Sequence, residues 1–224
     1  MSKNLRIAFF GTPDFATASL KRLVKDGWNI VAVITAPDKP SGRGQQLSIS
    51  DVKRYALEVN LPIYQPEKLK ADDFVELYRS LNIDLAVVVA FRMMPEVIWA
   101  MPRIGTINLH GSLLPNYRGA APINWAIIHG EKETGVTTFF INQEIDKGDI
   151  LFQQTSKIED SDDFGSLYSK LKEIGASLLI ETLSKIEHGD YRSSPQEFKP
   201  TDKSAPKIDK DILEIKDYTS SGSI

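Results

Sequence analysis

Apolar runs of strand length alternate with segments of helical period from the amino terminus onwards, and this alternation restricts the chain more than any other property. Residues 5–10, 30–34, 85–90 and 104–109 are short, mostly apolar runs of strand length, of the kind covered on both faces of a sheet. Between the first two, Phe15, Leu20, Leu23 and Val24 follow a helical spacing behind Asp14, which is placed to cap it. Further helical stretches fall over residues 50–58, 72–81 and 95–101. Strands alternating with helices predict an α/β fold, a doubly wound, mostly parallel sheet with helices on both faces, whose sites lie at the carboxyl ends of the strands. After Pro122 the order changes to a helix over 123–129, strands over 135–141 and 150–158, and a long helix from Phe164 in which Leu167, Tyr168, Leu171, Ile174, Leu178 and Ile186 form one stripe. Beyond His188 come Pro195, Pro200 and Pro206 with few large apolar groups, the composition of a tether. The expected organisation is one domain over residues 1–188 and a Pro-rich linker and tail over 189–224.

Composition removes several function classes. With 27 basic and 30 acidic side chains the formal net charge is −3, which is wrong for a broad basic surface on duplex nucleic acid and leaves room only for a local basic element. The absence of cysteine removes disulfides, thiolate nucleophiles and sulfur-ligated metals. The apolar stretch before Gly11 and Pro13 is too short for a secretion signal or a membrane span, so a cytoplasmic protein without membrane association is expected. Gly11 stands alone after the first strand, without the further glycines of a dinucleotide-binding turn. Residues 130–137 have the glycine spacing of a phosphate loop but Val136 where its lysine belongs. His110, His129 and His188 are too scattered to form a local metal pair, and no metal is expected. Ser112 lacks the flanking glycines of a nucleophile elbow.

The chemically informative stretch is 105–122, GTINLHGSLLPNYRGAAP. On a strand its side chains alternate, so Thr106, Asn108 and His110 share one face while Ile107 and Leu109 share the other. His110 ends the apolar run, which puts a carboxamide and an imidazole together at the strand's carboxyl edge. Gly111, Pro115 and Gly119 then punctuate a constrained loop able to offer backbone groups to a ligand. Asp146, in the polar turn QEIDKGD between two strands, is a candidate carboxylate, though taken alone an ordinary turn aspartate is the better reading. Residues 35–47, TAPDKPSGRGQQL, carry Lys39 and Arg43 among prolines and glycines and read as a mobile basic loop. Phe91, Met93 and Met94 follow the third strand, where they either line a slot or pack in the core; core packing is the better reading for Met94.

The run INLHGSLLPNYRGAAPINWAI, with IAFFGTPDFA, TAPDKPSGRGQQL and EIDKGDIL, resembles the catalytic domain of the folate-dependent formyltransferases over most of the chain. The PDKPSGRG loop narrows the resemblance to the branch that acts on methionyl initiator tRNA. It implies a Rossmann-like formyltransferase fold and a monomer that transfers a formyl group from 10-formyltetrahydrofolate to an amine in translation initiation. It further implies Asn108, His110 and Asp146 as catalytic residues, and Phe91, Met93, Ser112, Leu113, Leu114 and Pro115 as the border of the folate pocket. Lys39 and Arg43 are then expected on tRNA phosphates. Two alternatives stand beside it: formylation of an amino sugar on a nucleotide carrier, and a non-catalytic folate- or RNA-binding remnant. Full-length members carry a further small β-barrel after a linker, so either reduced tRNA affinity or a missing partner is expected of the present chain. Where many members have Ala-Phe-Gly, this chain has Ala90-Phe91-Arg92, an arginine that either alters the pocket or decorates its rim.

Overall fold

The computed structural model describes residues 4–41 and 46–208. Its strands are β1 (Ile7–Gly11), β2 (Ile30–Ile34), β3 (Lys39–Ser41), β4 (Gln46–Ser48), β5 (Ile63–Tyr64), β6 (Leu85–Val89), β7 (Gly105–His110), β8 (Glu133–Phe140) and β9 (Ile150–Lys157). The helices are α1 (Asp14–Lys25), α2 (Asp51–Glu58), α3 (Asp72–Ser80), α4 (Glu96–Trp99), α5 (Pro122–Ile128) and α6 (Phe164–Glu187). Seven strands form one sheet in the order β5-β2-β1-β6-β7-β8-β9. Pairing is parallel from β5 to β7 and antiparallel from β7 to β9. The doubly wound, mostly parallel sheet expected from the alternation of elements is therefore the fold.

Strand β1 illustrates why the sheet is double-sided. Ile7 and Phe9 pack with Leu20 and Leu23 of α1, Val52 and Ala56 of α2, and Leu167, Leu171, Leu179 and Leu183 of α6. Ala8 and Phe10 face the other way, against Phe74, Val75 and Tyr78 of α3 and Ile98 of α4. Every residue of β1 and β6 is buried. Each Val, Leu, Ile or Phe among them contributes about 1.5–3 kcal/mol by leaving water, which makes this parallel half the stable frame. Helix ends are set by local chemistry: the Ser50 hydroxyl accepts from Lys53 N at 3.0 Å, and Asp163 with Ser166 forms a reciprocal cap on α6. Asp14 is not the cap expected of it. Pro13 occupies that position and Asp14 lies in the first turn, where its carboxylate pairs with Lys172 at 2.6 Å.

Two local features depart from the sequence reading. The stretch read as an irregular basic loop is an antiparallel hairpin at its described ends, with Lys39 opposite Ser48 and Ser41 opposite Gln46. Its base is tied down by Asp38, whose carboxyl is held below the ordinary aspartate range by hydrogen bonds from Lys53 and Gln65. The Pro-rich stretch read as a tether is, over residues 190–208, a strap laid against the domain. Ser194 and Ile150 exchange backbone hydrogen bonds at 2.9 Å. Tyr117 N donates to Lys203 O at 2.6 Å, Ala205 N to Arg118 O at 2.8 Å and Ala121 N to Ala205 O at 3.1 Å. Gln196 and Ala205 are buried. Low apolar content explains the lack of regular structure there, but backbone pairing needs no apolar side chain. Among the described residues no helix is long and apolar enough to cross a membrane.

Candidate active site

The order of the sheet reverses between β1 and β6, whose carboxyl ends, Gly11 and Val89, are paired neighbours. A crevice is expected at such a reversal, and a cleft of ≈ 750 Å³ opens there. That volume falls in the range of about 300–1,000 Å³ usual for small-molecule sites. Its walls come from Pro13 and Phe15 after β1, from 90–94 after β6, from 108–111 at the end of β7, and from 142–146 between β8 and β9. Helix α3 and the short α4 pack beneath β1 and β6, and the cleft lies beside them, next to β7.

Register fixes which β7 side chains reach the cleft. Asn108 pairs with Val88, and Thr106 with Ala86, on the α3–α4 side. Ile107 and Leu109 pair with Val87 and Val89 and enter the opposite core. The period-two reading therefore holds, and Asn108 and His110 both line the cleft. The Asn108 carboxamide is half-buried and makes no hydrogen bond among the described residues. His110 is buried, and its Nε2 lies 2.9 Å from Tyr117 O. A carbonyl oxygen only accepts, so Nε2 carries the proton and donates. In the neutral ring Nδ1 is then the lone-pair nitrogen, and Nδ1 faces Asp146 Oδ2 at 4.0 Å.

Asp146 reaches this point because the β8–β9 turn folds back over the sheet. Gly148 is obligatory for that path, since a Cβ there would lie 1.6 Å from Phe140 O. Asp146 itself sits at φ 54°, in the left-handed region. Its Oδ2 accepts from Gly119 N at 2.9 Å, and its carbonyl accepts from Gln196 Nε2 at 2.9 Å. Gly119, at φ +120°, is pressed against the strap so closely that a Cβ would come 2.5 Å from Ala205 O. Ala90 (φ 47°) and Tyr117 (φ 58°) are also left-handed. Two of these, Ala90 and Asp146, line the cleft and Tyr117 stands behind His110, marking a backbone held by its surroundings against local preference.

Behind His110 lies a polar cluster. Ser112 Oγ donates to Asn116 O at 2.7 Å. The Tyr117 hydroxyl donates to Glu131, His129 Nδ1 lies 3.0 Å from that hydroxyl, and Lys203 Nζ meets Glu131 at 2.5 Å. Burial, then the neighbouring Glu131, pushes the Tyr117 phenol well above its ordinary value. Hydrogen bonds from Lys203 and Tyr117 hold the Glu131 carboxyl below the usual glutamate range.

The expected site residues distribute as follows. Asn108, His110, Asp146, Phe91 and Met93 line the cleft, with Met93 largely exposed at its mouth. Met94 is buried in the core beneath, as expected, and also touches the cleft. Ser112, Leu113, Leu114 and Pro115 do not line it. They stand behind the wall, where Leu114 N donates to Thr137 Oγ1 at 3.1 Å and Gln153 Nε2 to Leu114 O at 2.9 Å. Lys39 is exposed on β3, away from the lining, and Arg43 lies outside the described residues. Arg92 occupies the rim, donating to Pro66 O and to Glu67 O (2.9 Å), with its guanidinium 5.6 Å from the centre of the Phe91 ring. Sequence reasoning missed the Gly119 N–H, the Tyr117 carbonyl, and the walls supplied by Trp99 and Phe139. Only the glycine left a mark in the sequence, as punctuation of the loop. No group of three or more potential ligands able to hold a metal occurs among the described residues.

In this cleft a carboxamide and an imidazole at one strand end stand opposite a carboxylate on a returning turn, and residues 5–183 match the family described as Formyl transferase. The chain belongs to that family. Within it the chain falls among the methionyl-tRNA formyltransferases: it is 51% identical over 216 residues to that of Bacteroides fragilis, and 54% identical over 218 residues to that of Parabacteroides distasonis. Each alignment takes in 95% of this chain and 67% of the relative, so the chain spans two thirds of the length of these proteins. The sheet is shared more widely. Phosphoribosylglycinamide formyltransferase from Anaplasma phagocytophilum superposes with a TM-score of 0.73 at 20% identity, over 92% of this chain and 100% of the other. A sugar 3N-formyl transferase, solved in the presence of dTDP and 5-N-formyl-THF, gives 0.70 at 22%, over 92% of this chain and 71% of the other.

Proposed function

We propose that the chain transfers the formyl group of 10-formyltetrahydrofolate to the free amino group of methionyl initiator tRNA, with Asn108, His110 and Asp146 at the reacting atoms. The convergence of these three side chains on one cleft carries the reading. The cleft suits a planar ring, for it is mostly apolar and is walled by Phe91, Trp99 and Phe139 with polar groups at one end.

The donor supplies a formyl carbon bonded to an aryl-amine nitrogen. The substrate amine forms a bond to that carbon, the carbonyl oxygen takes up negative charge, the carbon–N10 bond then breaks, and one proton passes in net from the amine to N10. An α-amino group has a reference pKa of about 7.7–8.0, so a good share of it is protonated at neutral pH and an acceptor is needed. Asp146 Oδ1 is available for this task, because Gly119 N occupies Oδ2. Asn108 donates an amide N–H to the oxyanion without first breaking a hydrogen bond among the described residues, which is the preorganised arrangement such stabilisation requires.

The tautomer of His110 restricts its role. With Nε2–H committed to Tyr117 O, the neutral ring offers the cleft an acceptor and no donor. His110 therefore acts as oxyanion donor only as the imidazolium, whose Nδ1–H lies opposite Asp146 Oδ2. Acceptor and donor at Nδ1 are thus two successive states of one nitrogen: it first takes over, from the Asp146 carboxyl opposite it, the proton removed from the amine, and then holds the oxyanion and delivers that proton to N10.

A labelled-formyl assay tests the reading. Label on charged initiator tRNA supports it. Label on a nucleotide-linked amino sugar, or folate binding without turnover, would replace it with one of the alternatives. Lys39, on β3, and Arg43, outside the described residues, are proposed to meet phosphates of the acceptor end.

A further inference from the structure

We propose that Gln196, on the strap outside the sheet, is a positioning residue for the Asp146 carboxylate; the inference rests on Asp146 taking part in the transfer. Gln196 is 8% exposed. Its Nε2 donates to two main-chain carbonyls of the β8–β9 turn, Asp146 O at 2.9 Å and Gly148 O at 2.8 Å. Both partners are acceptors only, so the amide has one possible orientation. Its Oε1 is buried with no donor among the described residues. The side chain thus leaves one polar atom unpaired while using both N–H groups to bridge this turn.

What the bridge holds is a strained piece of backbone. Asp146 sits at φ 54°, and at Gly148, two residues on, a Cβ would lie 1.6 Å from Phe140 O. Gln196 closes the two carbonyls that flank Lys147, and so fixes the path between them. Its own position is set two residues earlier by the Ser194–Ile150 backbone pair. From the other side, Gly119 N fixes Oδ2 at 2.9 Å, and Gly119 is backed by Ala205 of the same strap. The 4.0 Å separation between Asp146 and His110 Nδ1 is therefore set by two hydrogen bonds, one made by the strap and one backed by it. Without Gln196 the turn can relax toward right-handed φ, which swings the carboxylate away from the imidazole while leaving the cleft's apolar walls intact.

The test uses Gln196→Met, of similar volume but without donors, and Gln196→Glu, of the same shape but with acceptors against two carbonyls. Each is made in the full chain and in the Asp146→Asn background, and kcat, KM for the folate and the thermal midpoint are measured with methionyl initiator tRNA. The expected result is a kcat lowered tenfold or more by either substitution, with KM for the folate within threefold of the parent. In the Asp146→Asn background the same substitution changes kcat less than twofold, because a residue acting through Asp146 has nothing left to position. A kcat within twofold of the parent for both variants, or equal fold-losses in the two backgrounds, overturns the proposal. If Asp146→Asn alone turns over at the parent rate, the reading of the site fails first. If that variant is slow and the Gln196 variants are not, Gln196 alone is removed.

Discussion

The two-faced apolar core of the sheet and the loops that close over the end of β7 are held together by different forces. From β5 to β7 the structure rests on side chains withdrawn from water on two faces, spread over dozens of residues, no one of which sets a geometry alone. Over the end of β7 the turn between β8 and β9, the loop 111–121 and the strap 190–208 are joined by single hydrogen bonds between named atoms: Gly119 N to Asp146, Gln196 to Asp146 and Gly148, Tyr117 N to Lys203. Asn108 and His110 stand on the first kind of structure and Asp146 on the second. Apolar burial is non-directional and tolerates small shifts, whereas a hydrogen bond lost at 2.9 Å moves whatever it was holding. Damage to the frame should therefore cost stability at constant turnover, and damage to the strap and turn should cost turnover at nearly constant stability.

The largest test of that division is Asp146→Asn, expected to lower kcat by roughly 10²–10⁴, the span for loss of an acid–base group, with a thermal midpoint close to the parent's. A large fall in midpoint would place Asp146 with the frame instead. Phe9→Ala is the converse. It removes a fully buried ring and is expected to cost about 3–5 kcal/mol in denaturant unfolding, while kcat per folded molecule stays within about twofold of the parent. A smaller effect is expected of Glu131→Gln. Because Lys203 and Tyr117 hold the Glu131 carboxyl low in the folded protein, the unfolded chain binds that proton more readily. The contribution is then present above about pH 4.3, the free glutamate value, and is lost as the pH falls through the lower folded value. The pair is partly exposed, so the substitution should lower the midpoint by no more than about 3 °C at pH 7, with the gap closing below about pH 4. A gap that widens in acid contradicts the assignment. The smallest change is expected of Lys39→Ala, which should weaken tRNA binding and reduce the logarithmic salt slope by about one without altering KM for the folate; an unchanged slope returns the hairpin to a surface role.

The same division explains how much of the molecule can be read in the sequence. Uninterrupted apolar runs mark β1, β2 and β6, because strands covered on both faces have no other composition available, while β7 shows Ile107 and Leu109 alternating with Thr106, Asn108 and His110. The shared face of Asn108 and His110 followed from period two alone. Strand β5 did not, since two residues carry no period, and the β3–β4 hairpin lies in a stretch whose prolines and glycines read as a loop. Asp146 could be joined to His110 only through the resemblance to a family, since nothing in QEIDKGD states which way the turn folds. The strap is the clearest omission. Its contacts are made by backbone groups, by Gln196 and by the small side chain of Ala205, none of which differs in sequence from a free linker.

The claim beneath all of this is that one point in the cleft is served together by Asn108, His110 and Asp146. A crystal structure of the protein with 5-formyltetrahydrofolate tests it most directly. The account predicts the pterin against Phe91, Trp99 and Phe139, with the formyl-bearing end of the ligand beside Asn108 and His110 and an Asn108 amide nitrogen about 2.7–3.1 Å from the position the oxyanion will take. A folate bound with that end turned away from these side chains, or seated outside the cleft, would contradict it.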